Sequence, residues 1–236
     1  MKAGMIVLLG ALTARAFAGD IVLQKTNGDV SIRHGVEEAW SAAAAGDVLK
    51  PDDTIKTGRK ATAVLVATLE RGGKAGRKSI SLPPEVIVDL SDIRDLTQEE
   101  LMLKLTMEKV RASSYQWKSN EMHMSPTTAV HGDDRSPGET LREVDPATGT
   151  MLFNGVRVLF NNGFYATCAL KGIQVLRRYP VLDDQFAYRM LVAESLERAD
   201  LRGEAISEYG AIADLAGLTA EQQETVRTKI EMLRKP

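Results

Sequence analysis

Between residues 19 and 90 the chain carries five short strand-forming runs. They are Asp29-Val-Ser-Ile-Arg33, Ala45-Gly-Asp-Val-Leu49, Asp53-Thr-Ile-Lys-Thr-Gly58, Ala61-Thr-Ala-Val-Leu-Val66 and Lys78-Ser-Ile-Ser-Leu-Pro83. Strands this short, punctuated by Gly, Asp and Pro, leave little room for a parallel sheet with helical crossovers, so the region reads as a small all-β module. Apolar residues alternate along it, with Ile21-Val-Leu23, Val30, Ile32, Val48, Ile55, Ala63, Leu65, Ile80, Leu82, Val86 and Val88 as the expected inward set. Period-two spacing puts one face of each strand in a core and the other in solvent. Gly28-Asp29, Gly46-Asp47, Gly58 and Gly72-Gly73 supply the turns, and successive strands are expected to pair as antiparallel hairpins in a sandwich or partly rolled barrel.

The first eighteen residues read as a secretory leader. Lys2 starts it, Ala3 to Ala14 is uncharged and mostly apolar, and Ala16-Phe17-Ala18 offers small residues before a cut that would leave Gly19 as the mature N-terminus. Arg15 stops the apolar run after roughly a dozen residues, short of the ~20 that span a bilayer. No other stretch is long and apolar enough for stable membrane insertion, so the expected product is periplasmic or otherwise exported. Losing Lys2 and Arg15 with no acids takes the formal net charge from −2 to −4. A mildly acidic chain has no global attraction for nucleic acid. Cys168 is the single cysteine, so no internal disulfide forms and burial alone holds the fold.

Past residue 92 the period changes. Leu101, Leu103, Leu105 and Val110 alternate with charged residues, and Thr97 stands three residues before Glu100 at capping-box spacing, which predicts a helix to Trp117. Residues 118–147 lose periodicity and collect Ser, Pro, Gly and Asp, as a linker does. From Thr148 to Lys235 helical spacing returns, broken at Asn161-Asn-Gly163, Tyr179-Pro180, Asp200 and Gly217; four helices and a terminal cap-like helix follow, the last opened by a second capping box, Thr219 and Gln222. The expected organisation is therefore α+β and multidomain: leader 1–18, β domain 19–92, connecting helix 93–117, irregular segment 118–147 and helical domain 148–236.

The stretch Ala45-Gly-Asp-Val-Leu-Lys-Pro-Asp-Asp-Thr-Ile-Lys-Thr-Gly58, with Ala61-Thr-Ala-Val-Leu65, Arg71-Gly72 and Ile80-Ser-Leu-Pro83, resembles the FecR domain, a periplasmic module of bacterial sigma-factor regulators. Where that family places an acidic residue before the hairpin glycine, this chain has Arg71. In the regulators the module lies outside a spanning helix with a cytoplasmic arm, and neither is read here. The resemblance implies an interaction module. The helical part is similar to tetratricopeptide repeats: Gly163, Tyr165, Cys168 and Pro180 fall at its turn, aromatic, small buried and closing positions. Asp200, Ala205 and Tyr209 repeat much of the pattern 37 residues on, near the family period of about 34.

Candidate chemistry is sparse. Gly72-Gly-Lys-Ala-Gly-Arg-Lys-Ser79 has the look of a phosphate loop, but Arg77 stands where a glycine should, and a strand follows where a helix N-terminus is needed. It reads as a hairpin tip. His123, His131, Asp133 and Asp134 match no metal-ligand spacing, and His34 reads as a turn residue. Cys168 reads as a small buried thiol, Trp40 and Trp117 as anchors between elements. No catalytic, cofactor or metal site is expected. The expected function is a non-enzymatic adaptor that docks an envelope protein, with the concave side of the helical repeats as the docking face. The alternative is a module for peptidoglycan or another anionic envelope polymer, gripped by a basic hairpin edge of Arg71, Lys74, Arg77 and Lys78, joined by Arg59 and Lys60.

Overall fold

The structure, a computed structural model, describes residues 21–35, 37, 39–71, 74–120 and 145–235, with backbone alone at 70, 71, 74 and 112–120. The leader positions Ala16, Ala18 and Gly19, and the linker residues His123, His131, Asp133 and Asp134, lie outside the described residues.

Eight strands form two four-stranded antiparallel sheets. They are β1 Ile21–Asn27, β2 Val30–Arg33, β3 Ser41–Ala42, β4 Val48–Leu49, β5 Thr54–Thr57, β6 Thr62–Arg71, β7 Lys74–Leu82 and β8 Ile87–Asp89. The first sheet has the order β4-β1-β6-β7 and the second β3-β2-β5-β8. The expected sandwich is present. The chain of consecutive hairpins is not: only β2–β3 and β6–β7 are sequence neighbours that pair. At Gly28 (φ 77°) the chain crosses from one sheet to the other, and a Cβ there would meet Ala61 Cα at 3.0 Å, so two corners pack backbone to backbone. The crossing lets the apolar faces of β1 (Ile21, Leu23) and β2 (Val30, Ile32) meet across a shared core.

Two details of the inward set are corrected. Val48 is 67% exposed while Leu49 is buried, because the register Ile21↔Leu49 sets Leu49 beside the core. Val86, Ile87 and Val88 are all buried, since the outer face of β8 is covered by a helix.

The helices are α1 Gln98–Asn120, α2 Pro146–Asn161, α3 Tyr165–Arg178, α4 Phe186–Arg198, α5 Arg202–Ala213 and α6 Ala220–Arg234. Thr97 Oγ1 accepts from the Glu100 amide at 3.1 Å, which starts α1 as the sequence predicts. Helix α2 begins at Pro146, with Asp145 accepting from the Ala147 and Thr148 amides, a side-chain cap with proline in the first turn. Each expected break is realised: Gly163, Asp200 and Gly217 take left-handed φ, and Pro180 opens a 3-10 turn. The Thr219–Gln222 capping box closes in both directions. Helices α2 to α6 pack as successive antiparallel pairs, a tetratricopeptide-like array.

The array is seated on the sandwich through α2. Asn154 Nδ2 donates to the Glu85 carbonyl at 2.9 Å, and a Cβ at Gly155 would stand 2.0 Å from the Ile87 carbonyl oxygen. One apolar core therefore runs from Ile21 through both parts to Val226. Within the array Gly172, which stands where the repeat expects a bulky residue, makes room for Val192, whose Cγ2 lies 2.6 Å from where a Cβ would be.

Candidate functional site

Helix α3 presents a polar stripe, Thr167, Lys171, Gln174 and Arg177, at helical spacing toward the end of β8 and α1. Thr167 Oγ1 donates to the Arg94 carbonyl at 2.8 Å. Lys171 Nζ is held between Asp89 and Asp92, the latter at 3.0 Å. Gln174 Nε2 donates to Glu108 at 3.2 Å, and Arg177 and Arg111 pair with the same buried carboxylate. Glu108 is the polar anchor of α1, between the buried residues Leu101 and Leu105 on the one hand and α3 on the other.

Anchoring α1 by that face turns another face outward. Leu103 is 63% exposed, Met107 48% and Val110 62%, at i, i+4 and i+7, with Met102 beside them. Leu101, Leu103 and Leu105 do not share a face, because residues two apart on a helix diverge by about 200°. Of the seven large exposed apolar residues among the described residues, four lie on α1 and none on α2 to α5. Among the described residues, exposed apolar side chains are therefore concentrated on α1 rather than on the repeat helices. At the far end of the array α6 shows solvent a charged ladder, Glu224, Arg227 and Glu231, as a terminal repeat does.

Of the four basic hairpin residues, Arg77 and Lys78 are the two whose side chains are described, and they point to opposite faces of the hairpin. Arg71 and Lys74 face each other in register at the tip, which confirms the hairpin, but only their backbone is described. Arg77 is exposed. Lys78, its neighbour on a strand, points to the opposite face and is taken up by the helical array: its ammonium donates to the Asn162 carbonyl and lies 4.5 Å from the Phe164 ring centroid. Arg59 and Lys60 precede β6 while the tip follows it, about 30 Å away at strand rise.

Cys168 is fully buried, and burial pushes its thiol up to about 12, with Ser195 Oγ donating to the sulfur at 3.0 Å. It is packing, as the sequence predicts, and far from the thiolate a nucleophile needs. His34 does more than turn the chain: its Nδ1 meets buried Asp53 at 3.0 Å. Trp40 is half-buried on the outer face of the second sheet, with Arg33 and Lys56 over its ring. The Trp117 side chain lies outside the described set. Among the described residues no three His, Cys, Asp or Glu side chains gather to hold a metal, and no helix is long and apolar enough to cross a membrane.

Fold and surface together define a class: an antiparallel sandwich joined by one core to tetratricopeptide-like helices, an architecture consistent with a protein-interaction scaffold. No protein-family model, curated protein or solved structure matches the chain. The FecR pattern accordingly rests on the sequence resemblance alone.

Proposed function

We propose that this chain is a non-enzymatic scaffold of the bacterial envelope, exported by its leader, that docks a partner protein along the outer face of α1. The carrying observation is the apolar row Leu103, Met107 and Val110 on a helix whose opposite face is fixed by Glu108 and the α3 stripe. A helix held rigidly on one side and apolar on the other offers a groove-binding partner a preformed ridge. The FecR-like strands and the leader support the envelope setting. The alternative, an anionic polymer on the hairpin edge, has less support, since Lys78 is engaged by the Asn162 carbonyl and the Phe164 ring.

A photo-crosslinking residue at position 103 is expected to give one discrete adduct in envelope extract, and the same residue at exposed Val181 none. Leu103→Glu with Met107→Glu should abolish the adduct formed from a crosslinker at 110 and shift Tm by no more than ~2 °C, since both side chains are largely in solvent and Glu is a good helix former. An adduct that persists in the double variant overturns the assignment. For export, the N-terminus of the protein recovered from cells is expected to be Gly19; an intact Met1 in a cytoplasmic fraction would refute it.

A further inference from the structure

The outer face of the second sheet holds two cations, Arg33 and Lys56, beside one indole. Strand register sets them together: Ser31 pairs with Lys56 and Arg33 with Thr54, so Arg33 and Lys56 are diagonal neighbours on one face. The β2–β3 register, Ser31↔Ala42 and Ile32↔Ser41, continues to place Trp40 opposite Arg33 on that same face. The indole lies over both, 5.1 Å from the Arg33 guanidinium carbon and 4.5 Å from Lys56 Nζ to the ring centroid. Among the described residues neither cation has a carboxylate within ion-pair distance. Asp29, at the end of the strand, accepts from the Ser31 hydroxyl at 3.4 Å. Asp89 is linked to Arg33 through Thr54, which bridges the two at 2.7 and 3.4 Å, and feels the guanidinium charge, but its ion-pair partner is Lys171. Arg33 Nε is buried with no hydrogen-bond partner, the sole such side-chain atom among the described residues.

Two like charges over one ring repel, and a ring quadrupole offsets that only in part. An anion at the rim of the indole would satisfy both. The indole contributes an apolar plane beside the charges at the β3 edge of the sheet, the edge opposite the β8 edge that α2 covers, which suits a chain of sugar rings with C–H-rich faces. We infer that this face binds an acidic polysaccharide, with a sugar carboxylate on Lys56 and Arg33 and a sugar ring against Trp40. This face is separate from the basic hairpin edge and from the exposed row on α1.

The test uses the full chain with Trp117→Phe, which leaves Trp40 as the one indole. Titration with polygalacturonate is expected to give a saturable shift in its fluorescence that weakens steeply between about 20 mM and 0.5 M salt. Arg33→Gln with Lys56→Gln should weaken binding by about tenfold or more. Dextran, which has the rings without the charge, should give no saturable shift. Calorimetry on the unmodified chain reads the same affinity, so the test survives if Trp117→Phe does not fold. Absence of saturable polygalacturonate binding, or an affinity unchanged in the double variant, overturns the site. Equal affinity for polyphosphate, which has charge without rings, overturns the stacked-sugar assignment.

Discussion

Replacing Gly155 with alanine is expected to destabilise the protein by about 3 kcal/mol, a fall in Tm of ~6–12 °C for a chain of this size. A Cβ at this position would stand 2.0 Å from the Ile87 carbonyl oxygen. That neighbour is backbone in a paired strand, held by the register of β5 and β8, so it has no rotamer through which to yield. Helix α2 would have to lift off β8, and lifting it uncovers Ile87 and loosens the Asn154 bond to Glu85. Helix propensity works the other way, since alanine improves on glycine by about 1 kcal/mol in a helix interior. Gly210→Ala isolates that contribution: the glycine lies within α5 with nothing within 4 Å of a new Cβ, and the substitution should stabilise by ~0.5–1 kcal/mol. Urea denaturation of the two variants against the parent measures both. A loss below about 1 kcal/mol at Gly155 would mean that α2 is not seated on β8 in solution.

The same contact shows what the sequence discloses and what it withholds. Alternation marked which residues of β1, β2, β6 and β7 face inward, because each of those strands has one covered face. On β8 the rule fails, since its cover comes from α2, nearly sixty residues later in a segment with its own helical period. Partner choice was also hidden: a two-residue period fixes the face of a strand but says nothing of its neighbour, and the crossing at Gly28 separates strands that proximity alone would pair. The helix breaks were legible since Gly163, Gly217 and Pro180 act locally through their own backbone.

For the functional surfaces, the local signals were sufficient where they were read at the right period. Leu103, Met107 and Val110 form a helical row visible in the sequence, obscured by grouping Leu103 and Val110 with Leu101 and Leu105 and passing over Met107. The opposed faces of Arg77 and Lys78 follow from strand alternation in the same way. The capture of Lys78 by Asn162, and the meeting of Arg33, Trp40 and Lys56, depend on tertiary register and have no sequence signature.

Lys171→Met is expected to cost about 3 kcal/mol near neutral pH, and the pH dependence of that loss identifies its cause. Methionine keeps the apolar stem, so packing is conserved while the ammonium between Asp89 and Asp92 disappears. Burial pushes the Asp89 carboxyl up, but Lys171 and the Thr54 hydroxyl together hold it below its ordinary value. At Asp92 burial outweighs Lys171 and the carboxyl lies above its ordinary value. Burial lowers Lys171 itself, and the two aspartates more than reverse that. A lowered carboxylate contributes stability that is present above its unfolded pKa and lost as pH falls through the folded one; a raised lysine contributes stability present below its unfolded pKa and lost as pH rises through the folded one. The raised Asp92 opposes folding while ionised and is relieved by protonation. In the variant both carboxyls lose their nearest counter-ion, leaving the more distant Arg33 and Arg94, and rise relative to the parent, so the variant recovers stability as pH falls through the carboxylate range. At alkaline pH the parent loses its ammonium and approaches the variant from the other side. The stability gap should therefore be widest between about pH 6 and 9 and close toward both extremes, as read from urea midpoints across pH. A gap constant with pH would assign Lys171 a packing role and remove the ion pair from the junction between sandwich and helices.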